Sequence, residues 1–189
     1  MKKILVIGAV IIIILLLVFV PYFMLISRSE SVDAQWAQVE NVYQRRADLV
    51  PNLVETVKGY ASHEQEIFTA VADARTKIGQ INIDVSNLTA EQLTQFQAAQ
   101  GEFSQALSRL IALSEAYPDL KASQNFLALQ SQLEGTENRI TVERGRYNEV
   151  VRSYNVLVKM YFISGMFGYT EKPYFQSEPG SSLAPTVKF

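Results

Sequence analysis

The chain has 189 residues, with 17 basic and 19 acidic side chains, a net charge of −2, one histidine and no cysteine. Near-neutral charge without a basic stripe among aromatics excludes a phosphate-backbone footprint, and with it nucleic acid as a partner. The absence of thiols removes disulfides, thiolate catalysis and cysteine metal sites.

From Ile4 to Ile26 there is no charged or amide side chain, between Lys2-Lys3 on one side and Ser27-Arg28 on the other. A hydrocarbon core about 30 Å thick takes roughly 20 apolar helical residues, so this stretch can span it. A cleaved leader would have a shorter apolar region and a small-residue site, and Leu25-Ile26-Ser27 is a poor one. The stretch therefore reads as a permanent single-pass anchor, carried by residues such as Ile4, Leu15, Phe19, Tyr22 and Ile26. Pro21 can kink it, and Tyr22 and Phe23 suit a headgroup belt. Lys2 and Lys3 outweigh Arg28, which leans towards an inside N-terminus in a plasma membrane. This gives an anchor over 1–27, a helical domain over 28–164 and a tail over 165–189.

Period predicts an all-α fold. Val32, Trp36, Val39, Tyr43, Arg46, Val50, Leu53, Val57 and Tyr60 follow steps of 4 and 3, the seam of a helix packed in a bundle. This first helix continues from the anchor, bends near Pro51 and breaks at Gly59. Ser62 with Gln65 forms a capping box for a second helix ending near Gly79. Residues 80 to 88 are a loop. Thr89 with Gln92 caps a third helix, whose seam includes Leu93, Phe96, Gln100, Phe103, Leu107 and Leu110. Tyr117-Pro118 interrupts it, and a fourth helix runs from about Asp119 towards Ile163.

Four such stripes pack as an antiparallel up-down bundle. Helix four then returns to the anchored end. The glycines and prolines after Ile163 break regular structure there, while Phe162, Met166, Phe167 and Tyr169 stay apolar. Two readings of this tail stand open, a dip into the membrane interface and a cap on the bundle base. Disorder is expected from Gln176 onward.

Charge on the seams carries the site reading. Arg46, Glu137 and Arg144 occupy knob positions, and a buried charge needs a partner and hydrogen bonds. A structural polar layer is expected, with Asp48, Glu55, Glu115, Glu134 and Glu143 as counter-charges. Asn52, Asn138, Tyr147 and Asn148 then satisfy the remaining donors and acceptors. No catalytic constellation accompanies it. The di-iron bundle needs two Glu-x-x-His elements, and the lone His63 has no glutamate three residues before it. No phosphate loop or Ser-His-Asp arrangement can be assembled either. No cofactor or metal is expected.

Several blocks carry a family resemblance: Arg46-Ala47-Asp48-Leu49-Val50-Pro51-Asn52-Leu53-Val54-Glu55, Glu115-Ala116-Tyr117-Pro118-Asp119-Leu120, Leu133-Glu134-Gly135-Thr136-Glu137-Asn138-Arg139-Ile140 and Arg146-Tyr147-Asn148. In this order they resemble the LemA family across residues 34 to 169. The resemblance implies a bacterial membrane protein with one N-terminal anchor, a helical bundle and a poorly defined activity. It also implies a short outer N-terminus with the bundle in the cytoplasm, against the charge lean, so the side stays open. The sequence departs from the family pattern after Met160-Tyr161, where the Phe-Pro pair of relatives is missing. Two functions remain: a non-enzymatic scaffold that oligomerises and shapes the bilayer, or a monomeric adaptor of another membrane protein such as a quality-control protease. Leu49, Val54, Phe126, Leu129, Val150 and Val156, off the main seams, either widen the core or form a second stripe for a neighbouring copy.

Overall fold

The structure is a computed structural model that describes residues 2–176, apart from the side chains of Lys2, Ile14, Phe162, Ile163 and Met166. It contains α1 (Lys2–Lys58), α2 (Gln65–Gly79), α3 (Ala90–Ala112), α4 (Pro118–Lys121) and α5 (Gln124–Met160). Single turns of 3-10 helix lie at Val85–Asn87 and Leu113–Glu115, and a longer one at Phe162–Phe167.

α1 is unbroken for 57 residues, through the junction of apolar stretch and bundle. At 1.5 Å per residue such a rod is about 85 Å long. Its first part is apolar on every side and exposed, with Ile4, Leu15 and Phe19 uncovered by protein. The mean hydropathy there reaches 3.4, which with its length suits a membrane crossing. The second part buries the expected seam from Val32 to Val57. Tyr60 falls in the turn beyond the helix and is exposed.

Pro51 lies inside α1. It has no N–H to give to the carbonyl four residues earlier. That carbonyl, of Ala47, instead accepts from Nε of Arg75 on α2 at 3.2 Å. A helical defect in one element is thus repaired by a side chain from the next.

The elements alternate in direction. On α5, Tyr147 meets Trp36 and Glu137 meets Arg46, so rising numbers on α1 oppose falling numbers on α5. On α3, Phe96 meets Trp36 and Gln100 meets Arg46, so α3 runs with α1. Glu64 meets Tyr117 and Lys77 meets Glu102, so α2 opposes α3. Two apolar clusters fill the interior. One at the far end includes Leu53, Phe68, Phe103, Leu110, Leu120 and Phe126. The other, towards the apolar stretch, is aromatic and includes Trp36, Tyr43, Phe96, Tyr147, Tyr154 and Phe175.

Several local expectations need correction. Thr89 and Gln92 do form a capping box, but Ser62 and Gln65 do not. α2 starts after Glu64, whose carboxylate is engaged by the Tyr117 hydroxyl at 2.9 Å. The expected single helix from Asp119 is divided into α4 and α5. Ala122 N–H bonds back to Pro118 and Ser123 N–H to Leu120, after which Ser123 turns extended (φ −67°, ψ 123°). This step seats both Leu120 and Phe126 in the core. Of the off-seam residues, Phe126 is fully interior, while Leu49, Val54, Leu129 and Val150 pack half-buried on the clusters; Val156 stays open.

The tail folds back on α1. The Phe167 ring lies 4.9 Å from Tyr22, and Pro21 and Leu25 are buried at this level. Gly168 ends the 3-10 turn at φ 79°, a left-handed conformation that suits glycine. Tyr22 and Ile26 are consequently half-buried, whereas Ile4, Leu15 and Phe19 are open. Phe167 is exposed and Tyr169 half-buried, so this turn covers the bundle base at the end of the apolar stretch. The side chains of Phe162 and Met166 lie outside the description; of the disorder expected from Gln176 onward, Gln176 itself is instead held through its carbonyl by Gln97 and Arg144, and the rest lies outside the described residues.

The Pro51 repair gives a test. Arg75→Ala should cost about 0.5–1.5 kcal/mol, the worth of one hydrogen bond. In a Pro51→Ala background, where residue 51 regains its N–H, that cost should shrink. Equal costs of Arg75→Ala in both backgrounds, read by denaturant unfolding, would show that the contact does not repair the helix.

Candidate functional site

Arg46 sits on the buried face of α1 because its position falls on the same heptad seam as Val39, Val50 and Leu53. It is only 2 % exposed. Its Nη1 donates to Ser104 Oγ at 2.8 Å and to Glu137 Oε1 at 2.6 Å, while Nη2 donates to the Gln100 side-chain oxygen. The Tyr43 and Phe103 rings lie 5.2 and 5.3 Å from its Cζ. A guanidinium presents a planar fork of donors and no acceptor, so this group binds and orients its oxygen partners. Among the described residues, its Nε is buried without a partner.

The counter-charge is placed differently. Glu137 is 46 % exposed and borders a cleft of about 860 Å³ between α3 and α5. Gln100, Ser104, Arg109, Thr141, Arg144 and Gln176 share its walls. The Arg46 layer therefore has one face in the core and one on a polar, water-accessible groove.

Most of the other expected layer members are elsewhere. Asp48, Asn52, Glu55, Glu115, Glu134 and Asn138 are exposed, on helix faces or turns away from Arg46. Asp48 accepts from Gln44, Glu55 pairs with Lys58, Glu115 with Lys121, and Glu134 accepts from Gln130. Each partner is close in sequence, so these carboxylates find surface neighbours before they can reach the core cation. Arg144 is half-buried, donating to the Gln176 carbonyl at 2.7 Å with Phe175 below it. Tyr147 is buried among aromatics, and Asn148 binds the tail. Of the layer as expected, only Arg46 and Glu137 are brought together among the described contacts. Gln100 was legible as a polar residue on an apolar seam, whereas Ser104, off that seam, left no such signal.

A second polar arrangement ties down the tail. Lys172 is 5 % exposed, its Nζ bonded to Asp33 Oδ1 at 3.1 Å and to the Val85 carbonyl at 2.9 Å. Three remote elements thus meet on one ammonium. Asn155 pairs both backbone groups of Lys172, and Asn148 those of Phe175. Phe175 stacks on Trp36 with planes 9° apart. Burial above all, and the charge of Asp33, push the Tyr147 phenol upward; burial, Tyr169 and Asp33 raise Tyr154 to about 12. Both phenols stay neutral packing groups.

His63, in the turn before α2, is exposed, with its backbone carbonyl accepting from Gln65. Fold and site together define a helical-bundle protein carried on a long apolar helix, with a buried cation as its central polar feature. The LemA family model matches residues 35–189, and the chain belongs to that family. It is similar to Magnetosome protein MamQ 2 and MamQ 1 of Paramagnetospirillum magneticum, each 27% identical over 183 residues, covering 84% of this chain and 65% of the relative. It is also similar to Protein LemA of Metamycoplasma hominis, 23% identical over 141 residues, covering 71% of this chain and 61% of that protein. The chain thus spans somewhat under two thirds of the length of these relatives.

The unequal burial of the ion pair sets the order of two variants. Glu137→Met leaves a buried cation without its counter-charge, a loss of about 3–5 kcal/mol. Arg46→Met leaves a half-exposed carboxylate that water can solvate, and strands chiefly Gln100 and Ser104, for about 1–3 kcal/mol. Chemical unfolding of the two variants should show Glu137→Met as the weaker protein. The reverse order would mean that Arg46 is solvated through the cleft.

Proposed function

We propose that this is a non-catalytic membrane scaffold: a single-pass protein of the bacterial plasma membrane whose bundles associate side by side and organise the bilayer. The observation that supports it most is the continuity of α1. A helix without a hinge between apolar stretch and bundle transmits the orientation of one to the other. Copies held at one depth and angle in a plane have a raised effective concentration, so weak lateral contacts become productive. Repeated rotational contacts close into rings.

The surface available for such contacts is narrower than the sequence implied, since most off-seam residues belong to the core. On α5, Leu127, Val142 and Val156 remain about half exposed. The names of the MamQ relatives place those proteins with magnetosomes, which accords with an organising role near membranes. The absence of a hinge also supports a fixed stand-off between bilayer and bundle. The charge of Lys2 and Lys3 leans towards an inside N-terminus, against the family habit, and the side of the bundle stays open.

Particle mass in mild detergent, with crosslinking in native membranes, tests the reading. A defined multi-subunit particle is expected, and Val156→Glu should reduce its mass while helical content is kept. A strictly monomeric protein in both experiments would overturn the scaffold and favour an adaptor that recognises another membrane protein.

A further inference from the structure

From Met160 to Thr170 the chain carries no charged or amide side chain. The flanking residues Lys159 and Glu171 pair at 2.8 Å, so an ion pair closes the neck of an apolar loop. Register sets the height of this loop on the molecule. Ten residues of α1, from Trp36 to Arg46, match ten of α5, from Tyr147 to Glu137. Thirteen residues further in the other direction, the same register brings Met160, the last residue of α5, level with Phe23. The ring contact between Phe167 and Tyr22 independently gives the same height. Phe23 lies three residues, about 5 Å, inside the end of the apolar stretch at Ile26. The 3-10 turn therefore sits beside α1 within the apolar stretch, not above it.

Towards its inside, the loop supplies partners for its own polar groups. Ser164 N–H donates to the Tyr161 carbonyl at 3.0 Å, Gly168 N–H to Gly165 at 3.2 Å and Tyr169 N–H to Ser164 at 3.0 Å. The Ser164 hydroxyl donates to the Val158 carbonyl at 2.8 Å, in the last turn of α5, where carbonyls lack helical partners. Irregular backbone at membrane depth needs such internal pairing. Towards its outside, Met160 and Phe167 are exposed, and so are Phe23 and Met24 at the same level of α1. Together they make an apolar belt that continues the exposed side chains of the stretch below.

We propose that the loop over 160–170 is a second membrane contact, seated among the lipids of the bundle-side leaflet at the boundary of headgroups and acyl chains. The inference rests on the reading of α1 as a membrane crossing and is independent of assembly. Lipid fits the belt because the belt is continuous with the apolar face of α1, at the depth that interfacial apolar segments occupy. The Lys159–Glu171 pair at the neck then lies where headgroups and water solvate it. A single helix leaves the bundle free to rotate about its axis. The loop, on one flank of α1, fixes that rotation against the bilayer and adds cross-section to one leaflet only.

The absence of native cysteine permits single spin labels at Met160→Cys and Gly165→Cys, and a Cβ added at residue 165 meets open space. Labels at Leu15→Cys and Gln44→Cys, both exposed, mark the apolar stretch and the bundle surface. Full-length protein in phosphatidylcholine vesicles is then probed with oxygen, which concentrates in lipid, and with a nickel chelate, which stays in water. Both loop labels should show an oxygen-to-nickel collision ratio several-fold above that of Gln44. Loop ratios equal to that of Gln44, with Leu15 still high, would leave the crossing intact and overturn the proposal. Shielding of the loop labels from both reagents would put protein over the loop instead of lipid, and would overturn it as well. A low ratio at Leu15 would defeat the membrane crossing itself, and the proposal with it.

Discussion

α1 must satisfy two solvents with one backbone. Its first half needs apolar side chains all round, and its second half needs a narrow seam facing three other helices. Both demands are met in a single helix, so the rotational phase of the apolar stretch fixes that of the bundle. Val32, Trp36, Val39 and Tyr43 begin the seam only a turn or two after the last apolar residues. The tail's 3-10 turn packs where the two regimes meet, at Tyr22 and Leu25. Pro51 is tolerated within this rod because Arg75 takes over the carbonyl it leaves unpaired.

The bundle is organised on unlike ends. Leucine- and valine-rich packing around Leu53, Leu110 and Phe126 closes the end remote from the apolar stretch. Around Trp36 the packing is aromatic, and ring geometry with specific polar clips replaces simple volume filling. Arg46 divides the two. A buried ion pair seldom adds stability over an apolar substitute. Its value here lies in register: Gln100, Ser104 and Glu137 can meet Arg46 together only if α1, α3 and α5 are aligned along their axes.

The regular part of this architecture was legible because helical seams repeat. The α1 seam, the Thr89 capping box and the break at Gly79 all follow from side-chain periodicity and local chemistry. The division at Ser123 was not legible, since no residue there forbids a helix; burial of Leu120 and Phe126 decides it. The polar layer was half legible. Position on the seam identified Arg46 and Glu137, but sequence offers no way to tell a seam carboxylate from surface ones that pair locally, as Glu55 and Glu115 do. The tail was least legible. Lys172, Asn148 and Asn155 act through backbone groups distant in sequence, and such pairing leaves no periodic trace.

Rigid coupling of the apolar stretch to the bundle underlies both the packing and the proposed function. Its most direct test is the distance between spin labels at Val20→Cys and Gln44→Cys in lipid, on exposed positions either side of the junction. One continuous helix gives a single narrow distribution near roughly 36 Å, at 1.5 Å of rise per residue. A broad distribution, or one centred well below that length, would show a hinge at the junction and contradict the account.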